Sequence, residues 1–430
     1  MTTFLRRTRL PAALLAGALM LAACGTDDEP DATDATAEEP AGDDMDDMDG
    51  MEDMDDADPD ADGMDHDAAP ADVDLAADEL RATLNNLLQE HVYLAGFATG
   101  QALGGNDAGF EAAATQLTEG NTGDLADLLG AVYGDDVREQ FFGFWNSHID
   151  MFVDYTLATA EGDEAGQDDA VDRLLAYAGE LADTLEAITG LPADASQPGI
   201  EMHVTTLKEA VDAQAAGDAG AAYANLREAA LHMDGLAEPL AQAIADQQGL
   251  EGDATDDLAG VRSQLNGLLQ EHVFLAGAFT GEALTEGDPD AAQAALLEGN
   301  TEDLADLVSE VYGERVSRDD FVQFWNSHIL MFVDYTEGVA AGDEAQQQGA
   351  VEDLLAYSAD LAEQFDALTG GELPADASQP LIDEHITSLA PAVDAQGEGD
   401  FATAFEELRN AAGHMSHIAN PLFEATVATL

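Results

Sequence analysis

Ten histidines occur in this chain of 430 residues, and eight of them fall at four positions that occur twice. His91 sits in LLQEHVYLAG and His272 in LLQEHVFLAG, while His148 sits in FWNSHIDMFVDYT and His328 in FWNSHILMFVDYT. His203 answers to His385, and His232 in LREAALHM answers to His414 in LRNAAGHM. An imidazole can bind a metal, carry a proton, or sit in a core with its nitrogens hydrogen-bonded. For one histidine the core role is the simplest. Four inward histidines are harder to explain that way, because each costs desolvation and needs a partner, and leucines would stabilise a core better. A metal ion is one partner for all four and turns that cost into binding energy.

The neighbours of these histidines refine the chemistry. Met151 and Met331 follow the second histidine by three residues, on the same helical face, and Met233 and Met415 directly follow the fourth. Thioether beside imidazole suits copper; the competing role for each methionine is core filling. Asp154 and Asp334 are further auxiliary candidates. Glu90 and Glu271 precede the first histidine directly, and Glu201 and Asp383 precede the third by two. Side chains one or two positions apart on a helix point different ways, so these carboxylates are expected outside the ligand set. Arg138, Arg318, Arg227 and Arg409 stand out in a chain with 12 cations and should pair with carboxylates. Trp145 and Trp325 read as core, and Asn146, Asn326, Ser147 and Ser327 as caps or hydrogen-bond partners of a histidine.

The elements that must position these residues are helices. Ala and Leu dominate, β-branched runs are absent and breakers cluster. The first copy predicts helices over Asp78–Leu103, Asp124–Tyr133, Asp136–Ala160, Glu164–Thr189, Gln197–Ala215 and Ala219–Ala245. Asp163 and Asp218 read as N-caps, and Gly162, Gly190 and Gly217 as helix stops. Leu80, Leu84, Leu88, His91 and Leu94 share one apolar stripe, and each other histidine has an equivalent stripe. Each of four long helices thus directs one histidine inward, with His91, His148 and His232 near mid-helix. The fold class is all-α: two tandem homologous four-helix-type bundles, residues 77–248 and 257–430, after a disordered acidic stalk at 25–76.

Residues 1–24 read as a leader, with Arg6, Arg7 and Arg9 before a short apolar run. The sole cysteine, Cys24, closes LAAC, which resembles the lipobox of bacterial lipoproteins and implies a lipid anchor that tethers the chain to the membrane outside the cytoplasm. From Asp27 to Asp74 there are 23 acidic residues and no Lys or Arg, a composition expected to be disordered. Met45, Met48, Met51, Met54, Met64 and His66 within it offer soft copper ligands; compositional drift is the competing reading. The net charge of -78 repels nucleic acid and matches salt-adapted surfaces, so bulk acidity is no sign of a metal site. Paired Glu-x-x-His motifs, HExxH, Gly-rich phosphate loops and nucleophile elbows are all missing from the sequence, which leaves hydrolysis, phosphoryl transfer and nicotinamide chemistry without machinery.

The phrases EHVYLAG, VYG, FWNSHIDMFVDYT, LPAD and LREAALHM resemble a group of secreted bacterial helical-repeat proteins, some of which are labelled "copper amine oxidase-like". The resemblance spans nearly all of each repeat and implies an exported, paired helical domain. Amine oxidase activity is not implied, because the Asn-Tyr-Asp/Glu-Tyr context of the quinone cofactor does not occur. The expectation is a cell-surface lipoprotein whose two domains each bind a transition metal, copper favoured, for storage, delivery or sensing. Two other classes compete: a non-metal binding or scaffolding module with core histidines, and a haem or di-iron redox protein.

Overall fold

The computed structural model describes residues 75–430 apart from 286. The leader, Cys24 and the Met-rich acidic segment with His66 lie outside the described residues. Among those described there is no strand, and no helix is long and apolar enough to cross a membrane.

The first copy runs α1 (Ala77–Gly104), α2 (Asp107–Thr115), a π-helical turn (Gln116–Asn121), α3 (Thr122–Tyr133), α4 (Asp135–Glu161), α5 (Glu164–Thr189), α6 (Ala193–Ala216), α7 (Ala219–Leu231) and α8 (Asp234–Gln248). The second repeats that order: α9 (Asp257–Ala283), α10 (Asp290–Ala294), a π turn (Ala295–Asn300), α11 (Thr301–Tyr312), α12 (Arg318–Ala341), α13 (Glu344–Leu368), α14 (Ala375–Glu398), α15 (Phe401–His414) and α16 (Ser416–Val427). In each copy the long helices form a bundle around one apolar core. Gly162 and Gly217 end α4 and α6 at φ +69° and +72°, a left-handed turn that a residue with a Cβ adopts only at a cost. Asp218 caps α7 by accepting from Ala221 N–H, whereas Asp163 makes no side-chain cap bond to α5.

Three departures from the periodicity reading matter for function. Within the stretch 104–123, where no helix is expected, α2 starts at Asp107 and continues through the π turn into α3. The extra residue in that turn is held by Asn146, whose Nδ2 donates to Thr118 O at 3.1 Å and whose Oδ1 accepts from Thr122 at 2.9 Å. Helix α6 begins at Ala193, directly after Pro192, so Pro198 lies inside it. The expected helix Ala219–Ala245 is broken at His232–Met233 into α7 and α8, and His414–Met415 mark the same break between α15 and α16. Pro239 and Pro421 lie seven residues after those histidines, inside α8 and α16.

The two copies also form one compact unit. Helices α1 and α9 lie side by side and are buried on nearly every face. Gly267 brings them close: a Cβ there would stand 2.6 Å from Gln89 Nε2. The contacts across the seam are reciprocal. Arg227 of the first copy donates from Nε and Nη2 to Glu271 of the second, both at 3.0 Å, and to Asp303 at 2.6 Å. Arg409 of the second copy donates to Glu90 at 2.6 Å and to Asp124 of the first. A self-complementary interface requires this reciprocity, here within one chain.

Candidate functional site

Three of the four expected histidines meet in each copy. His91 on α1, His148 on α4 and His203 on α6 are all buried. The His91 and His148 rings lie 5.2 Å apart between centroids, and His91 and His203 lie 5.8 Å apart. In the second copy the corresponding separations are 5.1 Å for His272–His328 and 6.0 Å for His272–His385. Trp145 sets its edge against His91 and His148, and Tyr177 of α5 stacks on His148 at 5.0 Å; Trp325 and Tyr357 repeat this around His272 and His328.

The nitrogens carry the detail. His148 Nδ1–H donates to the Trp145 carbonyl, which leaves Nε2 with a bare lone pair. That lone pair faces His91 Nε2 at 3.3 Å, and His328 faces His272 at the same distance. Two nitrogens bound to one ion at about 2.0–2.1 Å with a tetrahedral angle between them stand about 3.3–3.4 Å apart. Without an ion, His91 must hold its proton on Nε2 to bond to His148. Its Nδ1 then becomes an acceptor, beside an Asn121 amide whose Nδ2 is committed to Leu87 O at 2.8 Å and Glu90 at 3.1 Å. Asn121 Oδ1 and His91 Nδ1 are both buried with no partner, and so are Asn300 Oδ1 and His272 Nδ1. Trp145 Nε1, Tyr177 OH and His203 Nδ1 are unpaired as well. Buried polar atoms are nearly always paired, so this concentration at one place marks a site and not ordinary packing.

Electrostatics keep these rings neutral. Burial, then the charges of His148 and His203, push His91 well below its ordinary 6.5, with the Asn121 side chain opposing. Burial brings His148 down to about 4 against the pull of the Trp145 carbonyl, and burial with the charges of His148 and His232 brings His203 to about 3. His272 falls well below 6.5, His328 to about 3 and His385 to about 4, burial leading in each case. At neutral pH the lone pairs are therefore available without prior loss of a proton. Among the described residues no group of three or more His, Cys, Asp or Glu side chains is placed to hold a metal ion as it stands. The third ring stands back from the facing pair.

The fourth histidine departs from expectation because the helix breaks there. His232 is half-buried at the end of α7; its Nδ1–H donates to Glu228 O at 2.8 Å, and its Nε2 is buried without a partner. Burial lowers its pKa too. His414 is turned the other way round: Nε2–H donates to Leu381 O at 3.0 Å and Nδ1 faces His417. Met233 and Met415 are buried, and Met151 and Met331 are half-buried against the core. Asp154 faces solvent in an ion pair with Arg173, and Asp334 is exposed as well, so neither reaches the imidazoles. Six residues place them well off the histidine's face. Ser147 donates to Phe144 O and Asn146 holds the π turn, so neither touches a histidine. Arg138 and Arg318 pair with carboxylates at the surface, as expected.

Residues that the sequence reading left out of the site are Asn121 and Asn300, at the ends of the π turns, and the stacking Tyr177 and Tyr357. Their repetition in both copies was the available signal. Glu90 and Glu271, expected outside the ligand set, are indeed directed away from the rings, but into the seam between copies and not to the surface. In the second copy a cavity of about 60 Å³ lies beside two of the rings. Leu269, Leu304, Phe321, Phe365 and Met415 are among its walls, and His328 and His385 reach it. Comparison with protein-family models, with curated proteins and with solved structures finds no match for this chain.

Proposed function

We propose that the protein is an extracytoplasmic lipoprotein, anchored at Cys24, whose two bundles each bind one transition-metal ion, copper before zinc or iron. His91, His148 and His203 would hold it in the first copy and His272, His328 and His385 in the second. The observation that carries this reading is the pair of Nε2 atoms facing each other at 3.3 Å in both copies, with the His148 tautomer of the first copy set by a backbone carbonyl. An ion replacing the proton between them lets His91 carry its proton on Nδ1, toward the unpaired Asn121 oxygen, as ligating histidines commonly do. The donor set is imidazole alone, and in the second copy the buried Met415 lines the same cavity as His328 and His385. Glu90 and Glu271 are held by arginines, so no free carboxylate is there for a hard ion or a di-iron centre. Storage, delivery or sensing all accord with a buried site without catalytic groups.

The test is elemental analysis and copper(I) competition titration of the full chain. Two tightly bound ions are expected, falling to one in His148→Phe, whose ring preserves the stack on Tyr177, and to one in His328→Phe. Absence of bound metal, or unchanged affinity in both variants, would refute it. A non-metal binding module is the second reading, favoured by the apolar cavity beside His328 and His385. It predicts binding of an apolar compound that is indifferent to chelators.

A further inference from the structure

His417 is the one described histidine without a counterpart in the other copy, where Gly235 stands in its place. Its Nδ1 lies 3.2 Å from His414 Nδ1, and the two rings meet at 90° with centroids 5.0 Å apart. The His414 ring is fixed from behind, because its Nε2–H donates to Leu381 O at 3.0 Å. That bond settles the tautomer and leaves Nδ1 as a lone pair aimed at His417. The Glu384 carboxylate stands 3.8 Å from the same Nδ1. The first copy lacks this acid too, with Met202 at the matching place. The helix break between α15 and α16 makes the arrangement: it ends α15 at the buried His414 and presents the exposed His417 on the first turn of α16.

We propose that His414, His417 and Glu384 form a separate surface site for a divalent transition-metal ion of the zinc or copper(II) class. The two Nδ1 atoms already stand near the separation that ligands of one ion take, about 3.3 Å. Glu384 is exposed enough, at 63 %, to close the remaining few tenths of an ångström by side-chain rotation. Imidazole and carboxylate together suit borderline divalent ions, whereas the buried clusters offer imidazole alone. A water completes the coordination at this solvent-facing position, so the ion exchanges readily. The second copy thereby has an outer site above its buried one. This site is independent of the function proposed for the buried clusters.

Calorimetric titration of the full chain with zinc chloride tests it. One exchangeable site is expected that disappears in His417→Gly, the residue of the first copy, and weakens at least tenfold in Glu384→Met. His148→Phe and His328→Phe should leave it intact, which separates its fate from that of the buried sites. His417 is exposed, so its removal does not threaten folding. Zinc binding unchanged in stoichiometry and affinity in His417→Gly overturns the proposal, as does the lack of any site lost in that variant.

Discussion

Replacing Arg409 by Met would test how the seam between the copies is held. Glu90 is 5 % exposed in its side chain and Arg409 19 %, so the pair is largely removed from water. Breaking a buried pair by removing one partner costs about 3–5 kcal/mol, because the remaining charge is left uncompensated. After the change Glu90 keeps only the Asn121 bond at 3.1 Å. Arg227→Met is milder. Glu271 keeps Asn300 at 2.8 Å and Tyr93 OH at 2.6 Å, and a hydrogen bond to a charged group is worth about 1.5–3 kcal/mol. The expected order is therefore Arg409→Met worse than Arg227→Met by about that amount. The pH dependence is diagnostic. Burial already raises the Glu90 pKa, with Arg409 opposing, so loss of the arginine raises it further. In the variant the folded state holds the Glu90 proton more tightly than the unfolded state does. Stability contributed by the protonated acid is then lost as pH rises through the folded pKa. Urea unfolding followed by circular dichroism, at about pH 5 and about pH 7.5, should show the Arg409→Met penalty growing with pH, and Glu90→Gln in the same chain should recover part of it. A penalty below about 1 kcal/mol, or one equal at both pH values, would refute the reasoning.

The histidine clusters predict a second pH effect. His148 titrates at 6.5 unfolded and about 4 folded, so stability present above 6.5 is lost as pH falls toward 4, by roughly 3 kcal/mol for this residue alone; urea midpoints measured across that window should flatten in His148→Phe. Tyr93→Phe reproduces Phe274 of the other copy and removes the bond to Glu271, so the urea midpoint should drop by an amount equivalent to about 1.5–3 kcal/mol. Gly267→Ala sets a Cβ against the buried Gln89 and should cost about 1–3 kcal/mol, whereas Gly260→Ala, whose Cβ meets Arg81 no closer than 3.6 Å, should stabilise α9 by about 0.5–1 kcal/mol. Thermal unfolding of the two glycine variants side by side checks both signs.

What could be read from the chain before any coordinates is what periodicity within a segment dictates. Leu80, Leu84, Leu88, His91 and Leu94 share a stripe because each must bury a face, and all five are buried. The same reasoning fails at the opposite face of α1. Arg81, Asn85 and Gln89 recur every four residues, the spacing a solvated polar row would also have, yet all three are buried. Arg262, Asn266 and Gln270 have the same spacing on α9, and the two rows lie along one seam: Asn85 donates across it to Ser263 O, and Gln270 to Asn86 O. Within one copy nothing distinguishes a polar row facing water from one facing its duplicate. Retention of scarce arginine in both copies was the only trace. The π turn and the helix break were hidden for a related reason. Neither follows from the average character of its segment: the π turn depends on a distant partner, Asn146, and the break at His232–Met233 interrupts what reads as one amphipathic helix. Glu90 and His91 join the two levels. As adjacent helical residues they point apart, Glu90 into the seam and His91 into the bundle. Asn121 completes the link by donating to Glu90 while its oxygen lies beside the His91 ring. The duplicated partner that neutralises Glu90 therefore also fixes the amide that bears on the His91 tautomer, and so ties the chemistry of each histidine cluster to the presence of the other copy.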